Sequence, residues 1–87
     1  MLKIETVPGE HSNSIRLIGR LRAECIPELK AQIEAAGRGT VLGMDEVTLV
    51  DVDVVRFLGA CEAQGIRLRG CSAYIREWIA REQESGT

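Results

Sequence analysis

A chain of 87 residues, 45% hydrophobic and 28% charged, is one small globular domain, too small to give up core volume to a deep ligand cavity. The formal net charge is −2, from 11 basic and 13 acidic residues, which provides no concentrated cationic face for nucleic acid. No apolar run approaches the roughly 20 residues of a membrane span, and MLKIETVPGE lacks the regions of a secretory signal, so a cytoplasmic location without direct membrane insertion is expected.

Leu2 to Val7 alternates, with Leu2, Ile4 and Thr6 on one face, and Pro8-Gly9 ends it, which predicts a strand. After the polar PGEHSNS turn, Ser14 to Gly19 predicts a second strand in a hairpin with the first. From Ala23 to Ala36 the period changes: Ile26, Leu29, Ile33 and Ala36 make one helical stripe, with Pro27 in the first turn and Gly37 at the C-terminal cap. Thr40 to Met44 predicts a short buried strand, and Val47 to Val50 continues apolar up to Asp51. A second helix follows at once, with Val54 or Val55, Leu58 and Cys61 inward and Gln64-Gly65 at its close. Ile66 to Arg69 predicts a short strand ended by Gly70. Ser72 then caps a third helix with Tyr74, Ile75, Trp78 and Ile79 on its buried face, and residues 81–87 read as a frayed polar tail. The order β-β-α-β-α-β-α implies an α/β domain spanning 1–87, a small mixed sheet with helices packed against it.

Catalytic chemistry is not expected. A nucleophile needs a base within hydrogen-bond reach, and the sole histidine, His11, lies in a polar loop beside Ser12. Cys25, Cys61 and Cys71 are odd in number and widely spaced, as for reduced thiols. Cys25 and Cys61 fall on or beside apolar stripes. Cys71 precedes the third helix; packing is the leading reading there, and a reactive thiol with its pKa lowered by the helix dipole is the other. Without CxxC spacing or a second histidine no metal site is expected, and nothing indicates a cofactor. Arg16, Arg20 and Arg22, like Arg67 and Arg69, alternate as solvent-facing strand positions do; an anionic partner patch is the other reading. The junction at Asp51 is the best candidate site. Asp51 caps the second helix by accepting N–H groups two or three residues on, and Asp53 suits the first turn. The same residues would also present backbone and carboxylate to a partner.

Several motifs together carry a resemblance: SIRLIGRL (14–21), IPEL (26–29), VTLVDVDVVRFL (47–58), and Gly65-Ile66-Arg67-Leu68 with Gly70. In order and spacing they resemble the STAS domain family, which includes bacterial anti-sigma-factor antagonists. The resemblance covers nearly the whole chain. It implies a non-enzymatic domain in bacterial signalling and transcription regulation, docking on a protein partner such as a serine-kinase anti-sigma factor. The docking surface would be Asp51, Val52, Asp53, Val54, Val55 and Arg56, with the exposed face of the second helix. In that family the partner phosphorylates the Ser after the Asp, and the added charge dissociates the complex.

Here Val52 stands at that Ser and has no hydroxyl. Asp53, Val54 and Val55 match the following Ser, Gly and Leu, and Gly43 stands where an Asp is common. The family's off-switch is therefore absent at Val52. Asp53 as a fixed charge mimic is displaced by one residue, about 100° on a helix; Thr48 and Ser72 are other hydroxyls for regulation. An adaptor subunit of a transporter or larger signalling assembly is the alternative reading, and a small-ligand or nucleotide-binding module a second. A homodimer is compatible with either.

Overall fold

Among the described residues, four strands form a single sheet, in which the order across the sheet is the order along the chain. The structure is a computed structural model that describes residues 2–9, 13–37 and 39–85, with side chains to Glu84. His11 and the last residues of the expected tail, 86–87, lie outside the described residues. The elements are β1 (Leu2–Val7), β2 (Ser14–Leu21), a single 3-10 turn (Ala23–Cys25) running into α1 (Ile26–Ala36), β3 (Val41–Val50), α2 (Val52–Ala63), β4 (Arg67–Arg69) and α3 (Ala73–Ser85). β1 pairs antiparallel with β2, whereas β2 with β3 and β3 with β4 are parallel, so α1 and α2 are the crossovers of two successive βαβ units. The expected α/β architecture and element order are those observed.

The core is one cluster. Ile15, Leu17 and Leu21 of β2 and Leu42, Met44 and Val50 of β3 face Leu29 of α1, Val54, Val55 and Leu58 of α2, and Ile75 and Ile79 of α3. All are essentially excluded from solvent. The opposite face of the sheet has a different composition: Arg16, Arg20, Glu46, Leu49, Arg67 and Arg69 are exposed there. The Arg16 Nη2–Glu46 Oε2 pair spans β2 and β3 at 2.7 Å. The domain is thus two-layered, helices on one face of the sheet and an open polar face on the other.

Two boundaries differ from expectation for one reason. β3 is a continuous ten-residue strand instead of a short run, and β2 continues two residues past Gly19. Between the pairs Arg16↔Gly43 and Ile18↔Glu46, and again between Gly19↔Val47 and Arg20↔Leu49, β3 carries one more residue than β2. Each such bulge shifts the side-chain alternation, so inward positions move from 42 and 44 to 47 and then 50, and the period-2 signal is lost. Gly19, at φ 105, occupies the second irregularity in a conformation that suits glycine, so it bends β2 and does not end it.

The third helix also departs from its pattern at both ends. Ile75 and Ile79 are buried and Trp78 half-buried, but Tyr74 is 50% exposed, since the buried stripe is narrower than the apolar one. Residues 81–85 are helical, not frayed, because Glu82 and Gln83 find partners on α2. No helix among the described residues is long and apolar enough to cross a membrane.

Candidate functional site

Asp51 sits between the last residue of β3 and the first of α2, in extended conformation at φ −111 and ψ 176. Its carbonyl accepts the Val55 N–H at 3.0 Å, the opening bond of the helix. Its side chain accepts the Val54 N–H at Oδ1, 3.0 Å, as the sequence leads one to expect of a cap. The other oxygen does something the sequence does not signal: Oδ2 accepts the Ala23 N–H at 2.8 Å. One carboxylate therefore satisfies one of the orphan donors of α2 and pins the 3-10 turn that leads into α1. The Val54 N–H is the main cause of a lowered Asp51 pKa. Partial desolvation opposes it, while the Ala23 and Asp53 N–H groups and the nearby Arg22 charge reinforce it.

The expected docking residues separate into two groups. Asp51 is half-buried and engaged by backbone, while Val52, Asp53 and Arg56 are exposed in the first turn and a half of α2. Val52 is 37% exposed, and Leu49, two residues before Asp51, is 49% exposed. Val54 and Val55 are 1% and 0% exposed and belong to the core, so they offer a partner no surface; this corrects their place in the expected site. The helical period dictates the split, since positions 54, 55, 58 and 61 face the sheet and 52, 53 and 56 do not. Arg56 Nε donates to Glu82 Oε1 at 2.9 Å, which ties α2 to the end of α3. That contact joins residues 26 apart and leaves no trace in sequence spacing. Thr48 and Ser72 are both exposed. The Ser72 carbonyl accepts the Arg76 N–H at 3.0 Å at the start of α3.

The chemistry available elsewhere is sparse. Cys25, Cys61 and Cys71 are free thiols. Burial pushes Cys61 up to about 11. Burial also raises Cys71, reinforced by the Glu62 charge and opposed by that of Arg76, which favours the packing reading of this thiol over the reactive one. No group of three or more metal-capable side chains occurs among the described residues. A shallow cleft of about 730 Å³ opens beside the C-terminal ends of α1 and α2, lined by Ile33, Glu34, Gln64 and Ile66 among others. It lies at the end of α2 remote from Asp51. A second cleft, of about 310 Å³, runs between α2 and α3 past Arg56, Gly59, Ala63 and Glu82. Neither sets a nucleophile beside a base. No protein-family model matches the chain, and no curated protein matches it.

Proposed function

We propose that this chain is a non-enzymatic protein-interaction domain of STAS type in a bacterial signalling or sigma-regulatory system, cytoplasmic, and not switched by phosphorylation at the usual position. The observation that supports the reading most is the β3–α2 junction. There Asp51 is locked by two backbone N–H groups while Val52, Asp53 and Arg56 remain accessible beside it. A surface pre-organised in this way binds without an ordering cost. Its apolar Val52 flanked by charged neighbours suits a protein partner better than a small molecule. Val54 and Val55 contribute by fixing the helix against the sheet, not by contact. With no hydroxyl at Val52, a constitutive adaptor role in a transporter or signalling assembly fits the same surface.

The substitution Val52→Glu tests the reading. An acidic side chain in the first turn of α2 is favoured by the helix dipole, so the fold is expected to melt at or slightly above the native temperature. Binding to a partner recovered by affinity capture from the source cell is expected to weaken tenfold or more, as a buried like charge or an unpaired carboxylate does at an interface. Calorimetric titration of native and substituted chains against that partner reads the difference. Equal affinities would remove the junction from the interface.

A further inference from the structure

Among the described residues, β1 and β4 are the two edges of the sheet, and they are not equivalent. β4, at one edge, is only three residues long and exposes Arg67 and Arg69. Antiparallel self-pairing of that strand sets arginine against arginine in every register, which is a standard way to keep an edge single. β1, at the other edge, is six residues long and packs principally on β2. Its inner-face residues Leu2 and Ile4 stay half-buried, whereas Leu17, the neighbour of Ile4 on β2, is fully buried. Among the described residues, the rim of the core is therefore left partly bare along β1. On the outer face of the same strand, Lys3 and Glu5 project two residues apart, with side chains 70% and 41% exposed.

We propose that β1 is the contact edge of a homodimer, in which two copies pair antiparallel about a two-fold axis at Ile4 and their sheets join into one. A two-fold pair of this kind sets residue i opposite residue j with a constant sum, and like faces must meet, so only even sums are allowed. The sum of eight places Lys3 opposite Glu5 of the other copy, twice, with Ile4 opposite Ile4 and Leu2 opposite Thr6. Sliding two residues one way opposes Lys3 to Lys3, and the other way Glu5 to Glu5. Charge thus selects one register out of the three nearest, while Ile4 and Leu2 gain cover on the inner face. The Lys3 Nζ–Glu5 Oε2 contact within one strand, 3.8 Å, is long and exposed and yields readily to the cross-strand pair. The contact is short, so a dissociation constant on the order of 100 µM is expected.

Sedimentation equilibrium of the native chain from about 10 µM to about 1 mM should move from monomer to dimer mass. Lys3→Glu and Glu5→Lys, each alone, should stay monomeric across that range, since each then opposes like charges in the selected register. Mixed in equal amounts, the two variants should recover dimer mass, because every opposed pair is again of opposite sign. Recovery on mixing cannot arise from a folding defect in either variant. A native chain that remains monomeric at the highest concentration overturns the proposal, and so does a single variant that still dimerises or a mixture that stays monomeric. The surface around Val52 takes no part, so partner binding and dimerisation stand or fall separately.

Discussion

Asp51 has two jobs that a substitution can pull apart. Asparagine is also a good N-cap and retains an oxygen for the Val54 N–H, but it has no charge and cannot satisfy both donors as a carboxylate does. Asp51→Asn is expected to cost about 1 kcal/mol and Asp51→Ala about 2–3 kcal/mol, since the latter leaves the Ala23 and Val54 N–H groups without acceptors. The pH dependence has a definite sign. The folded-state pKa is lowered, so Asp51 stabilises fully above its unfolded value near 4 and that contribution disappears as pH falls through the folded value. Urea unfolding at pH 7 and pH 3 should therefore show a larger loss for the native chain than for Asp51→Asn. An identical pH dependence in the two would mean that Asp51 is not the group held by these N–H donors. Of the two jobs, only the cap was legible in sequence. Val54 lies three residues on, within the reach of a local rule, whereas Ala23 is 28 residues away and no local pattern encodes that distance.

At the scale of elements, the helical stripes of α1 and α2 were plain because their period holds to the end, from Ile26 to Ala36 and from Val54 to Cys61. β3 was harder, since its two bulges move the inward face and erase the alternation on which strand reading rests. The end of α3 was illegible for another cause: REQES is polar throughout, and what keeps it helical is partnership with α2. There the Arg56–Glu82 pair sits at 2.9 Å and the Gln83 amide reaches the Gly59 carbonyl at 3.4 Å. Gly59 allows this approach, since a Cβ there would lie 3.3 Å from the Gln83 amide and 3.6 Å from Ile79. An exposed ion pair is worth well under 1 kcal/mol, but these residues also cover the α2–α3 seam. A chain ending at Ala80 is expected to lose about 1–2 kcal/mol in urea unfolding, against under ~0.3 kcal/mol if these residues contributed nothing. Val54 and Val55 left the expected docking surface for a different reason: the helical period already turns one or the other inward, the resemblance aligns both with the docking surface by position, and packing buries both.

The whole molecule has one core, reached from one face of the sheet, and this governs how it fails. A domain of 87 residues has roughly 4–13 kcal/mol of stability. Leu58, at 0% exposed, belongs to the one cluster to which all three helices and the sheet contribute, and among the described residues no second core exists to hold a partial structure. Leu58→Ala is expected to cost about 2–4 kcal/mol by lost transfer energy and the cavity left behind. Cys61, one turn further along α2 and 4% exposed, reports on that cost without an added probe. In the native state its thiol is shielded and its pKa raised to about 11, so at pH 8 it reacts with a disulfide reagent only when the core opens. In a background with Cys25→Ser and Cys71→Ser, the labelling rate then follows the opening equilibrium. Leu58→Ala should accelerate it roughly 30-fold or more, in step with the loss measured by urea unfolding. Were Cys61 to label at an unchanged rate while the domain lost that stability, α2 would open locally, and the helices would not share the single cooperative unit that the contiguous core implies.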